Sequence, residues 1–375
     1  METIRILPYL AGEAPMQRLT KIALSVISLA FIILSVAFLE VKAPGYSLSN
    51  TSESISTFVS STLGQVSGKH SHFDTTSTTT NRNYAYATFY SSPANDTRPD
   101  DEDKYFTATR VLLYQLLHHP STKTQHNYPL LILVPNHVDA RKTDILTHEG
   151  ATVIRTDILN PSDTTWIHPA RESWAEQFTK LRLFNMTQFS RIAFLDSDML
   201  LIRSLDGMFE EDVVQKSMTP VSSIEQKSDE GPLPSDYVFA GVSDAGGPHH
   251  DSVPDEHDNV NGGFWIMRPD PVLYAYYLSV MNIQGRFDDS TMEQGLFNYA
   301  HRMDGPMPYR HLKTGKWNMN WPSYGDVQRG AASVHDKFWD PGNADWIDRQ
   351  LVEMWWRMQG EMEGFWLRAQ RDGTY

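Results

Sequence analysis

The feature that most constrains this chain is the segment FLDSDMLLI, residues 194–202, in which two aspartates interrupt an otherwise apolar sequence. Asp196 and Asp198 directly follow the apolar run 192–195, and a second apolar run, 199–202, comes after them. Two carboxylates this close together at the end of a buried strand repel each other and resist the loss of water. A divalent cation is the simplest compensation. The alternative is a turn in which the carboxylates cap the element that follows.

Apolar runs that fit strands alternate along the chain with segments of helical spacing. The predicted strands are 84–90, 129–135, 151–157, 191–195, 261–269 and 332–339. The predicted helices are 105–117, 141–150, 173–189, one that begins near 291, and a tryptophan-rich one after residue 341, whereas 216–260 has the composition of long loops. This alternation predicts an α/β fold with a mostly parallel sheet, in which ligands bind at the carboxyl ends of the strands. Asp196 and Asp198 lie at such an end.

Charge and cysteine content narrow the range of possible functions. The chain has 375 residues and a formal net charge of −14, so it lacks the basic surplus with which proteins bind a nucleic-acid backbone. It contains no cysteine, which excludes disulfides and zinc–thiolate sites. We therefore expect no nucleic-acid partner, and the acidic surplus fits a soluble domain or one whose carboxylates hold cations.

The N-terminal part predicts a membrane anchor followed by a linker. Residues 22–39 carry no charge, are close to the minimum length for a membrane span, and have their basic neighbours on the N-terminal side. The sequence thus predicts a short cytosolic tail (1–21), a transmembrane signal anchor (22–39) and a disordered Ser/Thr-rich stalk (40–81). A cleaved signal peptide and a buried core helix are the alternatives for 22–39. The layout predicts a single-pass type II Golgi membrane protein, with a luminal catalytic domain (82–340) and a Trp-rich helical extension (341–375).

Two blocks and several shorter matches carry a resemblance to a known family. The core block is TKLRLFNMTQFSRIAFLDSDMLLIRSLDGMF, residues 179–209, and the second block is EQGLFN, residues 293–298. The shorter matches are Asp103-Lys104-Tyr105, Arg171 with Lys180, Asn261-Gly262-Gly263 and His335. In these blocks the chain resembles glycosyltransferase family 8, the glycogenin-like and galactinol-synthase-like enzymes. The resemblance implies a GT-A type nucleotide-diphospho-sugar transferase fold with a Rossmann-like, mostly parallel sheet.

The resemblance also implies a role for each matching residue. The residues implied as ligands of Mn²⁺, with Mg²⁺ as an alternative, are Asp196, Asp198 and His335. The residues implied in binding a UDP-sugar donor are Tyr105, Arg171, Lys180, Ser197, Asn261 and Gly263, with the tyrosine ring stacked on uracil. The residues implied in catalysis are Glu293, Gln294 and Lys180. The implied reaction transfers a sugar to a carbohydrate, glycan or protein acceptor, with retention of anomeric configuration.

The chain departs from the family pattern in two places. Family members often have a glycine directly after the metal-binding histidine and a lysine six residues further on, whereas this chain has Lys337 two residues after His335. Whether Lys337 contacts phosphate is therefore open. A further family aspartate falls on Ser290, and either Asp288 or Asp289 could replace it. These departures favour an alternative function, a catalytically silent sugar- or nucleotide-binding protein on the same fold.

A second Asp-x-Asp sequence occurs at Asp101-Glu102-Asp103. It lies in a polar loop with no strand before it, so we expect a solvated acidic run rather than a metal site. The position behind a buried strand, and not the pattern alone, distinguishes Asp196 and Asp198 from it.

Overall fold

The structure is a computed structural model that describes most of the chain after residue 82. The described residues are 83–375 with the exception of 95, 97, 221–225, 248–249, 341 and 343–345. They form one compact unit.

The predicted localisation requires a correction. Among the described residues, no helix is long and apolar enough to cross a membrane. The structure therefore does not support a single-pass Golgi membrane protein or a membrane partner. The predicted tail (1–21), anchor (22–39) and stalk (40–81), from which that localisation was inferred, lie outside the described residues.

Short strands form the framework of the described part. In chain order they are β1 Tyr84–Phe89, β2 Leu130–Pro135, β3 Thr152–Thr156, β4 Arg191–Leu195, β5 Met199–Leu201, β6 Ser217–Met218, β7 Asp236–Tyr237, β8 Phe239–Ser243, β9 Val260–Met267, β10 Arg310–His311, β11 Met319–Asn320 and β12 Ser333–His335. A seven-stranded sheet has the order β10-β8-β9-β4-β1-β2-β3. Neighbours in it are parallel, except that β9 is antiparallel to both β4 and β8. The predicted α/β class with a mostly parallel sheet is confirmed.

Helices cover both faces of this sheet. The α-helices are α1 Lys104–Leu117, α2 Ala140–His148, α3 Pro271–Met281, α4 Glu293–Ala300, α5 Tyr324–Gln328 and α6 Arg349–Arg371. The 3₁₀ segments are Glu172–Trp174, Gln177–Asn185, Asp206–Glu210, Asp212–Val214 and Asp289–Thr291. One apolar core joins one face of the sheet to α1 and α6, and a second joins the other face to α3, α4 and the segment Gln177–Asn185.

A second, three-stranded sheet has the order β11-β12-β5. Its register pairs His335 with Met199 and Val334 with Leu200. Since Met199 directly follows Asp198, this pairing brings the end of β12 to the end of β4. The backbone N–H of Asp336 donates to the carbonyl oxygen of Asp198 at 3.2 Å, which fixes the junction.

The α-helix predicted over 173–189 is wrong, because the chain forms two 3₁₀ segments there. The apolar side chains of the longer segment, Phe178, Leu181 and Phe184, recur every three residues and are fully buried. A spacing of three places side chains on one side of a 3₁₀ helix, whereas an α-helix needs 3.6. The repeat of three therefore explains the tighter turn. Lys180, on the same segment, is also buried.

Strand β8 lies in the stretch 216–260 that was predicted to consist of loops. Its sequence, FAGVS, is short and rich in small residues, so it gives little strand signal. Gly241 is required by packing, since a Cβ there would lie 2.5 Å from Cγ2 of Val260 and 3.2 Å from the carbonyl oxygen of Phe264. The close approach of β9 thus selects a glycine where a strand pattern would have a β-branched residue.

The C-terminal tryptophan-rich helix is confirmed as a single helix, α6. Trp355 and Trp366 are buried in the core that α6 shares with α1, and His118 of α1 meets the Trp366 ring edge-on at 5.0 Å. This helix is therefore packed on the same body as the sheet.

A buried histidine makes the stability of the fold depend on pH. His301 is fully buried, with its ring nitrogens in contact with the Tyr277 hydroxyl and the Met307 carbonyl. Burial lowers its pKa from 6.5 to about 3. The unfolded chain then binds a proton that the folded chain does not, so the free energy of unfolding falls as the pH falls below about 6.5, by roughly 1.4 kcal/mol per pH unit.

We predict that the free energy of unfolding of His301→Gln falls by about 2 kcal/mol less than that of the wild type between pH 6.5 and 5. This holds whatever the effect of the substitution on stability at pH 7. The measurement is denaturant unfolding at several pH values. The exposed His126, changed to Gln, is the control and should keep the wild-type pH dependence. Equal slopes for wild type and His301→Gln would contradict the assignment.

Candidate active site

The two aspartates behind β4 have different environments. The backbone N–H of Asp196 donates to the Gly263 carbonyl at 2.8 Å, which extends the pairing of β4 with β9 by one residue. Its side chain remains about one-third exposed (32%), whereas Asp198 is almost completely buried at 5%. The predicted site therefore opens to solvent through Asp196 and is closed behind Asp198.

His335 reaches Asp198 across 137 residues of sequence. The pairing of β12 with β5 places its Nε2 at 2.9 Å from Oδ1 of Asp198, while its Nδ1 lies 3.2 Å from Oδ1 of Asn320. Burial by itself would lower the pKa of His335, but the negative charge of Asp198 raises it above its ordinary value. The carboxylate and the asparagine together fix the orientation of the imidazole.

One potential ligand atom from each of Asp196, Asp198 and His335 lies within 4.8 Å of the others. Two carboxylates and an imidazole form a donor set that suits a divalent cation of the Mn²⁺ kind. Gly263 of β9 leaves room beside them: a Cβ there would lie 2.5 Å from Oδ2 of Asp196 and 2.7 Å from Cε1 of His335. The three side chains therefore fit a metal, and the absence of a side chain at position 263 allows them to converge.

Lys337 lies against the same carboxylate as His335. Its Nζ is 3.0 Å from Oδ2 of Asp198, so both oxygens of Asp198 are engaged by cationic side chains. Burial by itself would raise the pKa of Asp198, but the charges of Lys337 and His335 hold it well below its usual range. In turn the charge of Asp198 raises the pKa of Lys337. The departure from the family pattern thus places an ammonium group at the edge of the site.

Lys180 joins Asp196 to Glu293. Its Nζ lies 2.9 Å from Oδ1 of Asp196, 2.8 Å from Oε1 of Glu293 and 4.6 Å from the centre of the Phe194 ring. Burial alone would lower the pKa of Lys180, but the two carboxylates raise it. Burial raises the pKa of Glu293 in spite of the lysine, because that one cation is shared between two acids.

A polar network continues from Glu293 along the first turn of α4. Oε1 of Gln294 accepts from the Gly262 N–H at 2.7 Å, and its Nε2 donates to Oδ2 of Asp244 at 3.1 Å. The other oxygen of Asp244 accepts from Nδ2 of Asn261 at 2.9 Å. These contacts fix the orientation of the Gln294 amide. Asp244 was not predicted, because it follows β8, the strand that the sequence did not reveal.

Asn320 was also missed by the sequence analysis. Besides facing His335, its Nδ2 donates to the carbonyl of Ser243 at 3.2 Å, and it accepts from Asn318 at 3.1 Å. The alternating asparagines in WNMNW, residues 317–321, are the only sequence signal that would have pointed to it.

The predicted donor-binding residues lie at different depths. Tyr105, in the first turn of α1, is 37% exposed and meets the Trp339 ring edge-on at 5.4 Å. Burial raises the pKa of its hydroxyl, while the charge of the nearby Lys337 opposes the rise. Arg171 is exposed and lies over the Trp174 ring at 5.2 Å. Ser197, between the two aspartates, is 7% exposed.

The two candidates for the missing family aspartate have local roles. Asp288 accepts from the N–H of Ser290 at 3.1 Å and begins the 3₁₀ segment Asp289–Thr291. Asp289 accepts from the N–H of His168 at 2.7 Å, and Ala170 donates to the Ser290 carbonyl at 2.9 Å. These contacts tie the segment that carries Arg171 to the start of α4.

The expectation of a solvated acidic run at 101–103 holds for Asp101 and Glu102, which are exposed, but it is wrong for Asp103. Asp103 is buried, begins α1 by accepting from the Phe106 N–H, and pairs at 2.6 Å with the fully buried Lys142. This aspartate therefore anchors the helix that presents Tyr105.

The chain is similar to several known proteins. No family model matches the chain. The uncharacterized protein C4C3.09 of Schizosaccharomyces pombe is 30% identical over 293 residues, which are 71% of this chain and 76% of that protein. Galactinol synthase 1 of Solanum lycopersicum is 24% identical over 258 residues, 62% of this chain and 73% of that enzyme. The crystal structure of an active-site mutant of LgtC, at 12% identity, has a TM-score of 0.46 and covers 74% of this chain and 95% of its own.

The strand order and the place of the site behind β4 fit the GT-A type of glycosyltransferase fold that the sequence motifs implied. The chain is a glycosyltransferase like those of family 8, since its relatives include galactinol synthase and glycogenin. The family predicted from the sequence motifs is confirmed.

We predict that Gly263→Ala disrupts the candidate metal site. The added Cβ would collide with Asp196 and His335 and push the two side chains apart, at a cost to folding of roughly 1–3 kcal/mol. Mn²⁺ should raise the melting temperature of the wild type but not that of Gly263→Ala. Gly247→Ala is the matched control, because a Cβ there meets nothing within 4 Å. A Mn²⁺-dependent rise of wild-type size in Gly263→Ala would contradict the proposed convergence.

Proposed function

We propose that the protein transfers a sugar from a UDP-sugar to a carbohydrate, glycan or protein acceptor, with a divalent metal held by Asp196, Asp198 and His335. The observation that carries the proposal is the convergence of these three side chains at the carboxyl end of β4, in a chain of glycosyltransferase family 8. The proposed metal is Mn²⁺, with Mg²⁺ as the alternative. The proposed catalytic region is 82–340, followed by the extension 341–375.

The charges around the site suit a diphosphate. A bound divalent cation would neutralise the diphosphate and stabilise it as a leaving group. Lys337 has its Nζ 3.0 Å from Asp198 and is one-third exposed, so its ammonium group can turn from the carboxylate to a phosphate oxygen. Arg171 adds a second exposed cation near the start of α4. Tyr105, beside Lys337, supplies the exposed ring on which we propose that uracil stacks.

The inner part of the cleft suits the transferred sugar. Lys180 is locked between Asp196 and Glu293, and Gln294 is locked between Gly262 and Asp244. Groups held in this way are already oriented before substrate arrives, which is the condition for selective stabilisation of a transition state.

We propose that Glu293 and Gln294 contact sugar hydroxyls, and that Lys180 holds Glu293 and Asp196 in position. Asn261, Gly263 and Ser197 line the donor side. Transfer with retention would then proceed by attack on the same face as the departing diphosphate. This course requires no carboxylate of the chain as a nucleophile.

A donor screen tests the proposal. The purified protein should release UDP from at least one of a set of UDP-sugars, namely those of glucose, galactose, xylose, N-acetylglucosamine and glucuronic acid. Release should require Mn²⁺ or Mg²⁺ and should increase when an acceptor is added. The alternative, a silent binding protein, predicts that UDP and Mn²⁺ raise the melting temperature while none of the donors is turned over.

We predict that Asp198→Asn lowers metal-dependent turnover by about 10³-fold, because a charged ligand of the metal is lost. It should also destabilise the metal-free protein by roughly 2 kcal/mol, since Lys337 and His335 lose the charge that compensates them. Turnover and the melting temperature, with and without Mn²⁺ plus UDP, are the measurements. Asp101→Asn is the control, because Asp101 is an exposed residue of the second Asp-x-Asp. This variant should behave as wild type. Turnover of wild-type size in Asp198→Asn would rule out its proposed role.

A further inference from the structure

Trp321 has an unusual backbone conformation for a large side chain. Its φ is +54°, in the left-handed region that glycine and asparagine normally occupy. Pro322 follows it, and a residue before proline is normally extended. A bulky residue persists in such a conformation only where the surrounding structure imposes it, and such positions cluster at functional sites. This conformation therefore raises the question of what role the side chain has.

The indole ring of Trp321 is open to solvent. It is 39% exposed, and its partner within the described residues is Trp346, whose ring centre lies 5.6 Å away at an angle of 57°. By contrast Trp265, Trp317 and Trp355 are at most 4% exposed. Trp321 thus presents apolar surface that the described part of the chain leaves exposed.

The residue before Trp321 contacts the candidate active site. The preceding residue, Asn320, places Oδ1 at 3.2 Å from Nδ1 of His335 and donates to the carbonyl of Ser243. The loop after β8 comes close on the other side, since a Cβ on Gly246 would be 3.3 Å from the Asn320 carbonyl oxygen. Asp244, in the same loop, binds Gln294 and Asn261. Trp321 therefore directly follows the residue whose side chain orients His335.

We propose that Trp321 is the platform on which a pyranose ring of the acceptor stacks. This proposal rests on the proposed function, because it places the acceptor beside the site where the donor sugar would be held. A pyranose ring has apolar C–H faces and hydroxyls on its rim. An indole matches the faces, and polar groups such as Asp244 match the rim. A rigid aromatic anchor also loses little conformational entropy on binding.

The strain distinguishes this role from a structural one. Were Trp321 retained only for packing on Trp346, its removal would lower the melting temperature. Glycine adopts a φ of +54° without strain, so Trp321→Gly removes the ring and relieves the backbone. We expect this variant to have a melting temperature equal to or above that of Trp321→Ala, and to lose acceptor binding.

The experiment compares acceptor binding with donor binding in the full chain. The probes are the p-nitrophenyl α- and β-pyranosides of glucose, galactose, mannose and xylose, together with Mn²⁺ and UDP. With the donor found in the UDP-release screen, Trp321→Ala and Trp321→Gly should raise the acceptor KM at least tenfold. Trp321→Phe should remain within about threefold of wild type. The rise in melting temperature caused by Mn²⁺ plus UDP should be unchanged in all three.

Trp356→Ala is the matched control, because that tryptophan is 43% exposed on α6 and contacts Trp355. It should leave the acceptor KM unchanged. Saturation-transfer NMR with the same pyranosides does not depend on turnover. It therefore separates failure of this proposal from failure of the proposed function. Saturation of ring protons that disappears in Trp321→Ala supports the platform even in a protein that turns over no donor.

Three results would overturn the proposal. The first is a wild-type acceptor KM, or wild-type saturation transfer, in Trp321→Ala. The second is a parallel loss of acceptor use, of the Mn²⁺ and UDP effect and of thermal stability, which would make the residue structural. The third is that no pyranoside of the set binds the wild type.

Discussion

The structure depends on how two neighbouring carboxylates, buried Asp198 and half-buried Asp196, are neutralised at the end of β4. Asp198 is held between His335 and Lys337, while Asp196 pairs with Lys180. Without such partners the burial of these charges would oppose folding by several kcal/mol. Because each cation comes from a different element, satisfying the two aspartates also brings together β12, the chain that follows it and the segment Gln177–Asn185. Charge compensation therefore assembles the site.

This arrangement suggests how one set of residues can serve both the free protein and a bound complex. Lys337 balances Asp198 in the structure, and a metal would do the same when it is present. An ammonium group displaced from the carboxylate remains near the diphosphate that the metal would bind. In a chain with a net charge of −14, Lys180 and Lys337 thereby place two ammonium groups beside the carboxylates of the candidate site.

The close approach of the β9 backbone to the site side chains supports the same site. Gly263 lets β9 pass beside Asp196 and His335, and Gly262 lets it pass beside Glu293 and Gln294, where a Cβ would lie 3.0 Å from the Gln294 side chain. The presence of glycine at both positions of Asn261-Gly262-Gly263 thus has a steric reason. The lack of side chains at these two positions of β9 leaves room for functional side chains that arrive from β4, β12 and α4, and a larger residue at either position would displace them.

The sequence by itself determined the α/β class, the strands that flank the aspartates, the family, and the three side chains proposed to bind metal. These features rest on local patterns: continuous apolar runs, helical spacing, and short blocks in which neighbouring residues act together. Tertiary structure alone decided that Lys337 faces Asp198, that Asp244 orients Gln294, that Asn320 orients His335, and that Phe239–Ser243 forms a central strand. Those contacts join residues far apart in the chain, and each depends on strand register and on the space left by glycines, which no local pattern encodes.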